Sequence, residues 1–226
     1  MSCSSKKIVA GLAVITLLGA CETTPTGRRQ LQFLPSDQVA QMGETAFTQM
    51  RQKEPVANNA QSKYIECVAR AVTAVVPVPE GGKSWDITVF QGDQVNAFAL
   101  PGGNIGVYTG LLKAARTPAQ LAAVIGHEIS HVQAEHANAR LSTQYAADAG
   151  LALVAVLADG KAAGNRQVLA LLGVGAQVGI LLPFSRSQES EADVLGLSYM
   201  AKAGFDPRAA VELWQNMEKV GGGGGP

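Results

Sequence analysis

The chain has 226 residues with 18 basic and 18 acidic side chains, and its 47% hydrophobic content is enough for one domain with a sizeable core. Lys6 and Lys7 are the only charges in the first 20 residues, so the remainder sets 16 basic groups against 18 acidic ones, a net charge of −2. That balance leaves no basic field for nucleic acid, and the three cysteines, at positions 3, 21 and 67, give no disulfide framework.

Lys6 and Lys7 precede an apolar run from Ile8 to Leu18, and Leu18-Gly19-Ala20-Cys21 closes it with small residues before a cysteine. This predicts a lipoprotein signal peptide over 1–20, cut before Cys21, whose thiol and freed amine would then carry acyl chains. The run is shorter than the roughly 20 residues of a bilayer-spanning helix, which makes an uncleaved anchor the weaker reading. Several acyl chains would tie the protein to a membrane through Cys21. Glu22 follows; an Asp there resembles an inner-membrane retention signal, so its absence leans towards the periplasmic face of the outer membrane. From Glu22 to Pro35 two prolines, a Gly27-Arg28-Arg29 turn and little periodicity predict a tether, giving 21–35 as lipidated cysteine and linker.

The folded domain is expected over 36–220. Ser36 reads as the N-cap of a helix to about Gln52, and a second helix runs from about Gln61 to Val76 and stops at Pro77. Cys67, among Tyr64, Ile65 and Val68, is expected to be a buried small hydrophobe. Three extended segments, Asp86 to Phe90, Val95 to Leu100 and Asn104 to Thr109, are separated by Gly92-Asp93 and Pro101-Gly102-Gly103, the pattern of a small meander.

Thr117-Pro118-Ala119-Gln120 is a helix start, with Thr117 as N-cap, Pro118 at the first helical position and Gln120 completing a capping box. Leu121, Val124, Ile125, Ile129 and Val132 then recur at three- and four-residue steps, an apolar stripe docked on a core. Inside that helix lies His127-Glu128-Ile129-Ser130-His131. Residues four apart on a helix share a face, so both imidazoles can reach one zinc ion, while Glu128 sits about 100° around, beside the metal and free to act as a base. A hydrolytic zinc site takes three protein ligands, so one more is required. His136 is five residues past His131, about 140° around, and points away unless the helix has ended.

Downstream, 150–182 is strongly apolar around a polar turn and predicts a helical hairpin, too short to cross a bilayer and able to lie at an interface or cover the site. Ser187-Gln188-Glu189-Ser190-Glu191-Ala192-Asp193 then opens another helix. Glu189 and Asp193 share a face, so one can bind metal while the other fixes a ligand imidazole; spacing does not choose between them, and an acidic first turn favoured by the helix dipole explains the cluster equally well. Glu191 falls on the other side. Tyr199, Arg186 and His136 are residue types able to stabilise an oxyanion, though each reads more simply as structural, Arg186 as an ion-pair partner of the acidic turn.

Asn96 to Gly103, then His127 to His131, then Ser185-Arg186 with Glu189-Ser190-Glu191-Ala192-Asp193, together resemble the HtpX-like and BepA-like group of gluzincin metallopeptidases, and within it the LoiP-type outer-membrane lipoprotein peptidases of bacteria. The resemblance covers roughly Leu31 to Met217. It implies an α+β, mostly helical, zincin-like single domain with a small sheet beside the active-site helix, one zinc per chain, Glu189 as third ligand and Asp193 as partner of a ligand histidine. It implies too that the strand carrying Asn96, Ala97, Phe98 and Ala99 faces the cleft and pairs with extended substrate. Family members continue past the helix of Trp214 into a segment with a His-Pro pair, where this chain has the Gly-rich stretch 221–226.

The expected activity is endoproteolysis of unfolded or misfolded envelope proteins, with Glu128 drawing a proton from a water on the zinc. The competing class is a catalytically silent lipoprotein chaperone or assembly adaptor stapled by zinc; it needs no base and would close the metal shell with a fourth ligand, which His136 could supply only past a helix break. No sequence signal bears on oligomeric state.

Overall fold

A computed structural model describes residues 21–147 and 184–220. The signal peptide expected over 1–20, the apolar hairpin expected within 150–182 and the Gly-rich tail of 221–226 lie outside the described residues.

Where a tether was expected, the chain forms a hairpin. Strand β1 (Cys21–Thr23) pairs antiparallel with β2 (Arg29–Leu31), Cys21 opposite Leu31 and Thr23 opposite Arg29. Thr24 donates to the Arg28 carbonyl and Gly27 to that of Thr24, each at 2.8 Å, with Gly27 at φ 89°. Pro25 and Gly27, which look like linker composition, are therefore turn residues.

Helix α1 (Ser36–Lys53) places Pro35, not Ser36, at its cap position; the Ser36 hydroxyl instead donates to Glu135 at 2.9 Å. Helix α2 (Ala60–Thr73) begins with a reciprocal cap in which Asn59 Oδ1 accepts from Ser62 N–H at 2.9 Å and Ser62 Oγ from Asn59 N–H at 3.0 Å. Its buried face is Ile65, Val68, Ala69 and Val72, and Cys67 lies exposed on the opposite side, contrary to expectation. The helical period of about 3.6 residues turns position 67 outward, whatever its apolar neighbours in sequence.

The three strands of the main sheet do not form a meander. Their order is β3 (Asp86–Phe90), β5 (Asn104–Tyr108), β4 (Ala97–Leu100), with β5 central, parallel to β3 and antiparallel to β4. The connection after β3 carries the chain to the outer edge, and Pro101-Gly102-Gly103, with both glycines near φ 90°, folds it back into the middle. β4 is thus an edge strand, and it packs on helix α3 (Pro118–Gln133).

Helices α4 (His136–Ala147), α5 (Arg186–Lys202) and α6 (Ala209–Val220) complete the described fold. One core packs Ile65, Val72, Ile105, Val107, Leu121, Ile125, Ile129, Met200 and Leu213 around α3; a second gathers Phe47, Phe90, Phe98, Leu100, Tyr108 and Leu141 behind the sheet. From Gln120 to Val132 every residue of α3 is buried except Glu128. A helix apolar on nearly all sides is the centre of a domain, and its one half-exposed position marks where a cleft reaches it. No helix among the described residues is long and apolar enough to cross a membrane.

Candidate metal centre

Helix α3 starts where the sequence places it: Thr117 Oγ1 accepts from Gln120 N–H at 3.2 Å, and Pro118 occupies the first turn. The Gln120 side chain reaches one residue beyond the expected box and accepts from Arg116 N–H at 2.8 Å. Two turns further on, His127 and His131 point their Nε2 atoms at each other, 3.1 Å apart. A Glu189 carboxylate oxygen from the first turn of α5 lies 3.3 Å from His127 Nε2 and 3.8 Å from His131 Nε2. With bonds of about 2.0–2.1 Å, the corners of a zinc tetrahedron stand about 3.3 Å apart, so these three atoms already sit close to the spacing that one ion requires. Among the described residues this is the group of histidine and carboxylate side chains that fits a metal ion.

What brings α5 so close is a pair of glycines. A methyl group on Gly196 would lie 2.8 Å from His127 N, and one on Gly126 would lie 2.8 Å from the Gly196 carbonyl oxygen. The backbones cross in contact, and Asp193 and Glu189, one and two turns before the crossing, reach over α3.

Asp193 Oδ1 lies 2.9 Å from His127 Nδ1. With the Nδ1 proton donated to that carboxylate, His127 keeps an Nε2 lone pair for the cation. Burial lowers the pKa of His127, but its hydrogen bonds to the Asp193 and Glu189 carboxylates and the charges of Glu128 and Asp193 outweigh it and hold the ring at about 10. Three carboxylates around one imidazole call for positive charge in the gap between the rings, which a divalent cation supplies. His131 goes the opposite way, well below its ordinary value, through burial and then the neighbouring cationic groups His127, His136 and Arg140. The Glu128 carboxyl is pushed up to about 7, by desolvation first, with His127 opposing and Glu189 adding.

His136 does reach the site, though not as a ligand. α3 ends at Gln133, and Glu135, at φ 50°, takes the left-handed turn that starts α4 at His136. That conformation is strained for a non-glycine residue and is held in place by Ser36, Gln32 and Asn138, all on the Glu135 carboxylate. His136 swings behind His131, its Nδ1 2.9 Å from His131 Nδ1 and its Nε2 3.0 Å from Glu191 Oε2. Glu191 in turn takes Arg28 Nε at 2.7 Å and the Thr26 hydroxyl, both from the β1–β2 hairpin. Burial raises the Glu191 carboxyl, yet hydrogen bonds from Thr24, Thr26, His136 and Arg28 win and hold it at about 2. Arg186, expected beside the acidic turn, is exposed at the helix start; the arginine on that cluster is Arg28.

Two aromatic residues wall the centre. Phe184 stacks on His131 with ring centroids 4.0 Å apart and carries the Arg140 guanidinium over its ring, 3.5 Å from the centroid, while Trp214 meets His127 edge-on at 5.7 Å. Beside Trp214 a pocket of about 200 Å³, lined by Ala123, His127, Leu197 and Val211, opens next to the metal position. On the other flank Ala99 and Pro101 at the end of β4 line a cavity with His131 and Phe184. Ala97, Phe98 and Ala99 are in β4 and buried, Phe98 within the second core; Asn96 precedes the strand and its carbonyl accepts from Tyr108 N–H at 3.1 Å. Tyr199 is buried in the first core.

Two imidazoles from one helix, a carboxylate from a second and a glutamate beside them define a metallopeptidase domain of the gluzincin type, with zinc as its metal. Comparison with known proteins agrees. The chain belongs to peptidase family M48, whose family model matches residues 59–221. It is 36% identical over 193 residues to the mitochondrial metalloendopeptidase OMA1 of Arabidopsis thaliana, covering 82% of this chain and 36% of that protein. To the beta-barrel assembly-enhancing protease of Yersinia pestis it is 31% identical over 220 residues, covering 93% of this chain and 44% of the relative. To human OMA1 it is 30% identical over 222 residues, 92% of this chain and 42% of the relative. The chain thus spans less than half the length of these relatives.

Proposed function

We propose that this protein is a zinc metalloendopeptidase that cleaves unfolded or misassembled proteins of the bacterial envelope, held by a lipidated Cys21 on the periplasmic face of the outer membrane. The observation that carries the activity is the convergence of His127 Nε2, His131 Nε2 and the Glu189 carboxylate close to the spacing of a zinc tetrahedron, with Glu128 the one half-exposed residue of an otherwise buried helix segment.

A zinc ion bound there would acidify a water and polarise the scissile carbonyl. Glu128, with a carboxyl at about 7, is matched to take a proton near neutral pH and return it to the leaving amine. Asp193 fixes the His127 ring. The β4 edge offers main-chain groups to an extended substrate, which suits unfolded chains because such pairing is indifferent to side-chain identity. The pocket beside Trp214 would take one apolar substrate side chain. His136 favours this reading over a zinc-stapled adaptor, because it is hydrogen-bonded behind His131 and does not close the metal shell.

For the location, the supports are the Lys6-Lys7 start, the Ile8 to Leu18 run, the small residues before Cys21 and the exposure of Cys21. The relatives include a protease named for β-barrel assembly and others named as mitochondrial, and the lipoprotein pattern supports the bacterial envelope. Degradation of unfolded casein, with and without a chelator, tests the activity: the proposal expects cleavage that the chelator stops and zinc restores, and an inert zinc-loaded protein would leave the adaptor reading standing. Replacing Cys21 with Ala should release the protein from the membrane fraction; retention there would refute the anchor.

A further inference from the structure

Behind His131 runs a line of polar groups that ends in the N-terminal hairpin. We infer that His136, Glu191, Arg28 and Thr26 are positioning residues that fix the tautomer and orientation of His131, which makes the β1–β2 hairpin a working part of the metal centre. The inference rests on His131 being a zinc ligand through Nε2, as proposed above.

The proton assignment follows from donors and acceptors alone. To offer an Nε2 lone pair, His131 must carry its proton on Nδ1, and the group facing that N–H at 2.9 Å is His136 Nδ1. His136 Nδ1 must then be a bare acceptor, so its proton sits on Nε2 and is donated to Glu191 Oε2 at 3.0 Å. The reverse assignment would bring an Nε2 lone pair of His136 against a carboxylate, two acceptors face to face. Glu191 therefore decides which way both imidazoles are protonated.

Glu191 can do so only while its own charge is kept ionised and in place. Arg28 Nε donates to Oε2 at 2.7 Å and the Thr26 hydroxyl to Oε1. The side chains of His136 and Glu191 are 0% and 3% exposed, so solvent is poorly placed to replace a lost link. A further bond ties the hairpin to the same corner: Gln30 Nε2 donates to the Ala134 carbonyl at 2.7 Å, satisfying the C-terminus of the helix that carries both histidines. Cys21 stands in this hairpin, opposite Leu31. The strand that would carry the acyl chains is thus continuous with the residues that hold His131.

The experiment measures zinc affinity by competition with a chelating dye, and histidine tautomers by ¹⁵N NMR of the zinc-free full chain, for wild type, Glu191→Gln, Arg28→Gln and Arg28→Lys. Wild type should show His136 with its proton on Nε2 and His131 with its proton on Nδ1. Glu191→Gln should weaken zinc binding about 10–100-fold and Arg28→Gln by less, with Arg28→Lys recovering part of the loss. Melting of the zinc-free proteins separates this from a purely structural role, in which stability falls while the tautomers of the folded protein stay as in wild type. Should Glu191→Gln fail to fold, Arg28→Gln, altered at the solvent side of the chain, decides. An Nδ1 proton on His136, or zinc affinity changed by less than about twofold in the folded variants, overturns the inference. If His131→Ala leaves zinc binding intact, the metal-site reading fails instead.

Discussion

His127 and His131, proposed above to hold the zinc, sit one turn apart on the same helix and are held in opposite ways. His127 leans on Asp193, whose side chain is 51% exposed at the mouth of the cleft. His131 leans on His136 and Glu191, both buried and secured by a hairpin from the far N-terminal end of the described chain. The same chemical task, presenting an Nε2 lone pair, is thus done once by a solvated carboxylate and once by a relay inside the protein. A solvated partner is screened by salt and replaceable by water; a buried one is neither, and its loss strands a charge.

Glu128→Gln should have the largest effect and should leave both histidine supports untouched: peptide cleavage falls by about 10²–10⁴-fold while zinc content and melting temperature stay as in wild type. Equal cleavage by mutant and wild type would remove Glu128 from the role of base. The comparison itself is sharpened by pairing Asp193→Asn with Glu191→Gln. Zinc affinity should fall about 10–100-fold for Glu191→Gln and by a smaller factor for Asp193→Asn, with added salt weakening wild-type support at Asp193 but not at Glu191. Equal losses with equal salt dependence would break the contrast.

Acid should act on the buried support. Burial lowers His136 to about 4 from an ordinary 6.5, so between those values the unfolded chain binds a proton that the folded chain refuses. Glu191, held at about 2 against 4.5, extends the same sense lower. For both groups stability is fully present above the ordinary value and is lost as pH falls, here from 6.5 through 4 and on towards 2. Glu128, raised to about 7 against 4.5, works in the opposite sense above 4.5, so the His136 share is read by difference: zinc-free wild type should lose stability relative to His136→Asn as pH falls from 6.5 to 4. A smaller effect is expected where the two helices cross. Gly196→Ala places a methyl against His127 N and the Gly126 carbonyl carbon, backbone that cannot step aside, and should cost about 1–3 kcal/mol of stability with a weaker zinc site. A melting temperature equal to that of wild type would show that the crossing tolerates more space than its geometry implies.

The solvated half of the site was readable from sequence. Thr117-Pro118 marked the start of α3, helical spacing put His127 and His131 on one face, and spacing put Glu189 and Asp193 together although it could not rank them. The buried half was hidden for identifiable reasons. Nothing but Glu135 breaks the helix before His136, and it carries none of the glycine or proline signals that usually end one; the break is imposed by Ser36 and Gln32, a hundred residues away in the chain. Glu191 looked like the wrong face because the residues it meets belong to a hairpin that reads as a linker. Cys67 is exposed although its sequence neighbours Ile65 and Val68 are buried, because the helix turns position 67 away from their face. In the sheet, strand segments were legible but their order was not, since β5 is central by tertiary pairing.

The claim on which the account turns is that one zinc ion is held by His127, His131 and Glu189, with no fourth ligand from the protein. An anomalous difference map at the zinc edge, from crystals of the zinc-loaded full chain, tests it most directly. One peak is expected about 2.0–2.2 Å from His127 Nε2, His131 Nε2 and a Glu189 oxygen, with His136 still turned towards Glu191. A peak elsewhere, or a shell closed by His136, would contradict it.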